Sequence, residues 1–198
     1  MTRPRLFVIA GCNGSGKSSF ANVVTPVEVE SFDYDKEYLR EYNSIKDSEL
    51  RAVFAHQKTR HFLEESINFA IKNRLDFCYE TNFNSTPMYW PEKFKDAGFE
   101  LVLFFFCLDK IVTAKERVRI RVENGGHFVP DIEIEERFRL GYTNLNKFFT
   151  KFDFVHLVNT SGYNKEPNHI MTIHSEKIFH LAECPSFLLE YAPEIVAL

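Results

Sequence analysis

The most restrictive feature of the sequence is a glycine-rich segment near its beginning, Gly11-Cys-Asn-Gly-Ser-Gly-Lys-Ser18. It fits the pattern G-x-x-x-x-G-K-[ST], and an apolar run predicted as a strand, Arg5 to Ala10, precedes it. A helix is predicted directly after it, from Gly16 to Val24. In this context, backbone N–H groups and the helix N-terminus form a nest for anions. The chain is therefore predicted to begin with a phosphate-binding loop (P-loop).

The residue types in this loop predict its ligand. Lys17 would reach the β- and γ-phosphates of a nucleotide, and the hydroxyl of Ser18 would ligate Mg²⁺. We therefore expect ATP and Mg²⁺ as cofactors. The residues predicted to bind the nucleotide are Gly11, Cys12, Asn13, Gly14, Ser15, Gly16, Lys17, Ser18 and Ser19.

Patterns typical of strands and of helices alternate along the rest of the chain. Further strands are predicted over 27–33, 75–81, 99–108 and 152–158. Helices are predicted from Asp35 onwards and over 48–73, 87–97, 111–123 and 131–149. This alternation predicts a three-layer α/β fold of the P-loop NTPase type with a mainly parallel sheet. The positions of the 48–73 helix expected to face the core are Leu50, Val53, Leu63, Ile67 and Ala70.

Length and charge limit the remaining possibilities. The chain has 198 residues, which fits one domain. We predict a single domain over 1–198 with a helical lid at about 117–139, and one or two short elements after the last predicted strand. The net charge of −4 argues against a general nucleic-acid binder, so nucleic acid is not expected as a partner.

The apolar runs, the N-terminal residues and the cysteines bear on where in the cell the protein is expected. The longest apolar run, Leu101 to Leu108, is much shorter than the ~20 residues that span a bilayer. The N-terminal residues lack the layout of a signal peptide, so we expect a cytoplasmic protein without a membrane partner. The cysteines are far apart and are expected to be free thiols: Cys12, Cys78, Cys107 and Cys184.

Arginines without lysines mark the predicted lid. Arg117 and Arg121 are four positions apart and share a helix face, and Arg137 follows after the glycine pair Gly125-Gly126. Planar, forked donors beside a glycine hinge are typical of a lid that closes on phosphate. A solvated, ion-paired pair of helices is the alternative. Arg119 lies on the other helix face and is expected at the surface.

Acidic side chains follow two of the predicted strands. Asp33 and Asp35 come at the end of the second strand, and Glu80 comes at the end of the third. Ligands of open α/β sheets bind at the carboxyl ends of strands, which favours a functional role. Asp35 could instead be a helix N-cap. His127 could contact phosphate or close a turn, and Arg60 could point into the site or lie at the surface.

Two absent motifs exclude two classes of P-loop protein. The sequence has neither an N-K-x-D motif for guanine nor an L-S-G-G-Q-like signature of ABC-type ATPases. A kinase for a small molecule, or a related phosphotransferase, remains.

Several segments resemble, in order, the zeta toxin-like kinases, a family that includes small relatives labelled ABC-type ATPases. The most specific is a helix with two arginines followed by a Gly-Gly-His-x-Val-Pro lid. The segments are AGCNGSGKSSF, FDYD, FCYETNFNS, RVRIRVENGGHFVPDIEIEERF and LVNTSG.

The resemblance implies a kinase that transfers the ATP γ-phosphate to a hydroxyl of a small acceptor, with UDP-N-acetylglucosamine as the best-known one, and an antitoxin protein as a partner. It places Lys17 and Ser18 on ATP and Mg²⁺. Asp35 falls at the catalytic base, and Arg121 and Arg137 at the lid arginines. Glu80 falls at an acid on the side of either the substrate or the metal. The side chains expected on the substrate side are Asp33, Glu80, Thr81, Arg117 and His127.

The sequence also departs from the family pattern. Asp33 stands where relatives often have asparagine, so two carboxylates compete for the role of base. Asn82 and Phe83 replace a threonine–leucine pair, and Val158 replaces an aspartate. A kinase for another small molecule or for a nucleic-acid end, or a weakly active nucleotide-dependent binding module, therefore remains an alternative.

Overall fold

The P-loop follows an inner strand of a mostly parallel sheet. The structure is a computed structural model that describes residues 3–162 and 165–198. In these ranges one seven-stranded sheet has the order β2-β3-β1-β4-β5-β6-β7. The strands are β1 (Arg5–Ala10), β2 (Ser31–Phe32), β3 (Phe77–Thr81), β4 (Glu100–Cys107), β5 (Phe154–Asn159), β6 (Asn168–His174) and β7 (Lys177–Leu181). Strands β1 to β5 pair in parallel, whereas β6 and β7 pair antiparallel.

The helices are distributed unevenly over the two faces of this sheet. They are α1 (Lys17–Val24), α2 (Tyr34–Ser44), α3 (Arg51–Asn73), α4 (Tyr89–Asp96), α5 (Ile111–Glu123), α6 (Asp131–Phe148), α7 (Phe187–Tyr191) and α8 (Pro193–Val196). The larger core cluster contains buried residues of α3 to α8, whereas the smaller one, on the other face, has a single buried helical residue among those described, Ala21 of α1. No helix in the described parts of the chain is both long and apolar enough to cross a bilayer.

The predicted α/β fold with a mainly parallel sheet is confirmed, but three local predictions are wrong. The second strand is two residues long, because the stretch before it is irregular and Val27 is fully exposed. Helix α3 begins at Arg51, and Leu50 and Val53 face solvent instead of the core. The segment after β5 contains β6, β7, α7 and α8 rather than one or two elements.

Strand β1 lies between β3 and β4, so the chain leaves β1 at the point where the strand order reverses. Open α/β sheets bind their ligands outside the carboxyl ends of the strands at such a point. The P-loop follows β1 directly, Glu80 lies near the end of the neighbouring strand β3, and Asp33 and Asp35 come after β2, the next strand beyond β3. The topology therefore brings together side chains that are far apart in the sequence.

Candidate active site

Close packing explains why the P-loop needs glycine. Gly14 has φ +80°, and a Cβ atom there would lie 2.6 Å from the carbonyl oxygen of Ala114 in α5. Gly16 caps α1 with φ +87°. An L-residue at either position would be strained, and at Gly14 it would also collide with α5. The loop is thus in direct contact with the first helix of the predicted lid.

Lys17 is bonded within its own loop. Its ammonium group donates to the carbonyl oxygens of Gly11 (2.7 Å) and Cys12 (3.0 Å) and to Oδ1 of Asn82 (3.3 Å). Burial lowers the pKa of Lys17, although neighbouring acidic groups oppose this effect. In the sequence, Asn82 stands out only as a departure from the family pattern. Its place directly after β3 is the signal that marks it as a candidate site residue.

The hydroxyl of Ser18 lies between two carboxylates. It donates to Oε2 of Glu80 (2.6 Å) and to Oδ2 of Asp33 (3.2 Å). Burial raises the pKa of Glu80, the hydrogen bond from Ser18 opposes this shift, and the nearby charge of Asp33 adds to it. One hydroxyl and two carboxylates are hard oxygen donors of the kind that Mg²⁺ prefers, so the donor set fits this ion.

The two aspartates after β2 have different surroundings. Oδ1 of Asp33 accepts hydrogen bonds from the backbone N–H groups of Asp35 (3.0 Å) and Lys36 (3.2 Å) and so caps α2. The N-cap is therefore Asp33, and the alternative that assigned this role to Asp35 is wrong. Asp35 is exposed in the first turn of α2 and lines the cavity described next.

A cavity of about 1080 Å³ adjoins the P-loop. On the side of the phosphate loop it is lined by Asn13, Gly14, Gly16, Lys17, Ser18 and Ser19. Acidic and polar lining comes from Asp33, Asp35, Glu80, Thr81 and Asn82. Aromatic side chains and a further arginine also line it: Tyr34, Tyr79, Tyr89, Trp90 and Arg60. The structure thus places most of the predicted site residues around one space.

Thr81 lines this cavity with a side chain that already has a structural partner. Its Oγ1 accepts a hydrogen bond from the backbone N–H of Phe83 (3.0 Å). Phe83 is fully buried and has φ +55°, a conformation that non-glycine residues rarely adopt. Thr81 therefore stabilises the tight turn after β3.

Arg117 lines the cavity as well, but backbone carbonyl groups hold its guanidinium. It donates to the carbonyl oxygens of Gly14 (3.3 Å), Thr160 (2.7 Å) and Gly162 (3.0 Å). The hydroxyl of Thr160 in turn donates to the carbonyl oxygen of Ser15 (2.9 Å). The structure thus gives Arg117, predicted on the substrate side, a bracing position between the P-loop and the loop after β5.

The other predicted lid residues differ in their distance from the cavity. Arg121 lines it and donates to the carbonyl oxygen of His127 (2.9 Å). Arg137 and His127 are not among the described residues that line it. Instead, Arg137 donates to Oδ1 of Asn13 (2.9 Å), and His127 is exposed on the loop between α5 and α6. Arg119 pairs with Glu123 at the surface, as expected.

Comparisons with solved structures show a shared fold. A chain of the Pnkp1/Rnl/Hen1 RNA repair complex aligns with a TM-score of 0.56 and 23% identity, over 77% of this chain and 47% of that one. The present chain thus spans about half the length of that relative. A chain of the PezAT chromosomal toxin–antitoxin system of the human pathogen Streptococcus pneumoniae aligns with a TM-score of 0.60 and 12% identity, over 80% of this chain and 69% of that one.

The sequence itself gives the family. No curated protein matches it. The model of the zeta toxin family, however, matches residues 1–169. Because this match covers most of the 198 residues, the chain belongs to the zeta toxin family.

Proposed function

We propose that this protein is an ATP-dependent phosphotransferase that moves the γ-phosphate of ATP to a hydroxyl of a small acceptor, a nucleotide sugar such as UDP-N-acetylglucosamine. One observation carries the proposal. A single cavity is lined by the P-loop lysine, by Ser18 with two carboxylates, by Asp35 and by Arg121. These are the groups that phosphoryl transfer needs, since its catalysis rests on positioning and on charge stabilisation.

The nucleotide half of the site is the P-loop. Its backbone N–H groups and the N-terminus of α1 hold the phosphates, and the ammonium of Lys17 turns from the loop carbonyls to the β- and γ-phosphates. Ser18, Asp33 and Glu80 would hold Mg²⁺, directly or through water. When bound, this ion neutralises the charge that develops between the β- and γ-phosphates.

The acceptor hydroxyl lies beside Asp35. Its oxygen forms a bond to the γ-phosphorus as the bond from that phosphorus to the bridging oxygen breaks, and ADP leaves with the electron pair. The hydroxyl proton passes to the carboxylate of Asp35. An ordinary aspartate is a weak base, but in a loose transition state its main task is to orient the hydroxyl. Arg121 stabilises the charge on the moving phosphoryl group.

The aromatic lining of the cavity supports a nucleotide as part of the acceptor. Tyr34, Tyr89 and Trp90 offer ring faces and edges against which a flat base could stack, and Arg60 supplies a cation. Arg60 is paired with Glu64 at 3.0 Å, so an acceptor phosphate would have to compete with this carboxylate. A sugar between the base and Asp35 would present its hydroxyl to the P-loop.

The proposal also includes the domain organisation, the cellular compartment and a protein partner. The chain acts as one domain, its lid at 117–139 closes over the phosphates, and it works in the cytoplasm. The likeness to a chain of a toxin–antitoxin system supports an antitoxin as a possible protein partner.

Transfer of labelled phosphate tests the proposal. The protein is incubated with γ-labelled ATP, Mg²⁺ and a panel of acceptors that includes nucleotide sugars, free sugars and an oligonucleotide with a 5′-hydroxyl. We expect label on a nucleotide sugar with the wild type and none with Lys17→Ala. Label on the oligonucleotide alone would overturn the acceptor assignment. ATP binding without transfer to any acceptor would identify a binding module.

A further inference from the structure

The two helices of the lid are each tied by an arginine to the same corner of the P-loop. Arg137 of α6 donates from Nη1 to Oδ1 of Asn13 at 2.9 Å, across 124 positions of the sequence. Arg117 of α5 donates to the carbonyl oxygen of the next residue, Gly14. The side chain of Asn13 is therefore a point at which the P-loop contacts α6 directly.

Asn13 is well placed to act on Arg137. It is 3% exposed and lines the cavity together with Lys17. The second partner of Arg137 is Glu133 of the same helix, whose Oε2 lies 2.6 Å from Nη2. Glu133 lies on α6 itself, so of these two partners only Asn13 connects the guanidinium to the P-loop. A guanidinium carries five N–H donors, so two hydrogen bonds leave donors for a phosphate oxygen.

The chemistry of the amide also suits this place. Its oxygen accepts a hydrogen bond from Arg137 without cancelling the positive charge of the guanidinium. It also brings no negative charge close to the phosphates, as a carboxylate would. An asparagine can therefore hold an arginine beside an anion site at little electrostatic cost.

We propose that Asn13 is a positioning residue that aims Arg137 at the transferring phosphoryl group. This inference rests on the proposed function, because it needs a phosphoryl group to be transferred. It adds a role for the Asn13 side chain that is distinct from the contribution of the loop backbone to nucleotide binding. Arg137 is not among the described residues that line the cavity, and its hydrogen bond to Asn13, which does line it, holds the guanidinium next to that lining.

Steady-state kinetics of five proteins test the role of Asn13: wild type, Asn13→Ala, Arg137→Ala, the double variant and Asn13→Asp. Misplacing a reacting group can cost about 10²-fold in rate. We expect Asn13→Ala to lower kcat by 10-fold to 10²-fold with little change in KM for ATP. The double variant should be no slower than Arg137→Ala, since both changes remove the same interaction. Asn13→Asp keeps an acceptor for Arg137, so its kcat should fall less, whereas its KM for ATP should rise through repulsion.

Controls separate the possible failures. Arg139→Ala changes an exposed arginine of the same helix and should behave as wild type. Thermal melting of each variant checks that it is folded, and Asn13→Ser replaces Asn13→Ala if the latter is not. Losses that multiply in the double variant, or a loss of ATP affinity alone in Asn13→Ala, would overturn the positioning role. A wild type that transfers no phosphate would overturn the proposed function, and this inference with it.

Discussion

At the scale of single residues, the two carboxylates after β2, between which the sequence leaves the role of base undecided, have different contacts. Asp33 caps α2 with one oxygen and accepts from Ser18 with the other, whereas Asp35 is exposed to the cavity. A general base must lie within reach of the acceptor, and a residue that holds the metal must lie beside Ser18. We therefore propose Asp35 as the base and Asp33 as a residue that would hold the metal.

The first prediction separates these roles. Asp35→Asn should lower kcat strongly and leave ATP affinity nearly unchanged, because the proposed mechanism uses this carboxylate to orient the acceptor hydroxyl. Asp33→Asn keeps an oxygen for the cap of α2 and should mainly raise the Mg²⁺ concentration needed for half-maximal rate. Magnesium titrations of the transfer rate measure both effects. If Asp33→Asn shows the larger loss of kcat at saturating Mg²⁺, Asp33 is the base.

The second prediction concerns Arg121, the lid arginine of α5 that lines the cavity without being held by the P-loop. An arginine that stabilises the transferring phosphoryl group contributes about 10³–10⁵ in kcat. Arg121→Ala should lower kcat by orders of magnitude with a modest change in nucleotide affinity. Arg121→Lys should recover little, since an ammonium cannot bridge two phosphate oxygens.

Arg119 provides the matched control for Arg121. It lies on the same helix and pairs with Glu123 at the surface, so Arg119→Ala should remain near wild type. If all the arginine variants of the lid kept normal rates but melted at lower temperatures, the arginines would be structural ion pairs.

At the scale of elements, the sequence predicts most accurately the strands and helices whose hydrophobic pattern matches the faces that are buried in the fold. Strand β4 is apolar throughout and both of its faces are packed, so its position was found to within one residue at each end. The length of β2 was overestimated because the stretch before FDYD has the composition of a strand, whereas only Ser31 and Phe32 pair with β3. Leu50 lies one residue before α3, and Val53 is 51% exposed although Ala55 two positions later is fully buried, so periodicity alone could not show which positions at this end of the helix face the core.

Strands β5 and β6 share a histidine pair on one face of the sheet. Nδ1 of His156 lies 2.9 Å from Oγ1 of Thr172, which in turn lies 3.0 Å from Nε2 of His169. The His156 ring stacks on Phe104 at 4.5 Å. Burial, with a smaller contribution from the charge of His169, lowers the pKa of His156 to about 4.

The third prediction follows from this lowered pKa. In the unfolded chain His156 takes up a proton near its ordinary pKa of about 6.5. In the folded chain it takes up this proton only near pH 4. The unfolded state therefore binds more protons in this window, and acidification from pH 6.5 to 4 lowers the free energy of unfolding. The ring is partly exposed, so we expect about 1–2 kcal/mol rather than the full ~3 kcal/mol.

Urea unfolding at several pH values measures this effect. His156→Gln replaces the imidazole with an amide that can still form hydrogen bonds but cannot titrate, so its free energy of unfolding should fall less between pH 6.5 and 4 than that of the wild type. Equal slopes for the two proteins would show that His156 titrates normally in the folded state.

At the scale of the whole molecule, the candidate site was predictable because its motifs are local, whereas their mutual contacts were not. The P-loop, the acids after β2 and β3, and the arginines of α5 and α6 could each be recognised from the sequence. Both Arg117 and Arg121 line the cavity, but that Arg117 donates to the P-loop whereas Arg121 donates to the carbonyl oxygen of His127 depends on how α5 lies against Gly14. Such a choice between two residues on one helix face is made by tertiary packing.

The C-terminal segment was the least predictable part, and it lies largely beyond the match to the family model, which ends at residue 169. Its elements are short, and its two helices gain their order from contacts with α6. The ring of Tyr191 packs on Phe138 at 5.3 Å and on Tyr142 at 5.1 Å. The amide of Asn146 donates to the carbonyl oxygen of Tyr191 at 2.7 Å. Since α6 also carries Arg137, this segment supports the helix that presents a predicted catalytic residue.

The last prediction tests this support with two neighbouring leucines. Leu188 of α7 is fully buried in the main core, whereas Leu189 is 63% exposed. Leu188→Ala should lower the free energy of unfolding by about 2–5 kcal/mol, because it removes buried methyl groups and leaves a cavity. At this chain length each kcal/mol lowers the melting temperature by roughly 2–4 °C. Leu189→Ala makes the same chemical change at the surface and should stay within about 0.5 kcal/mol of wild type. Thermal and urea unfolding measure both variants. If the Leu188 variant unfolds like the wild type, the C-terminal helices do not stabilise the core, and the support of α6 must come from α5 and the sheet alone.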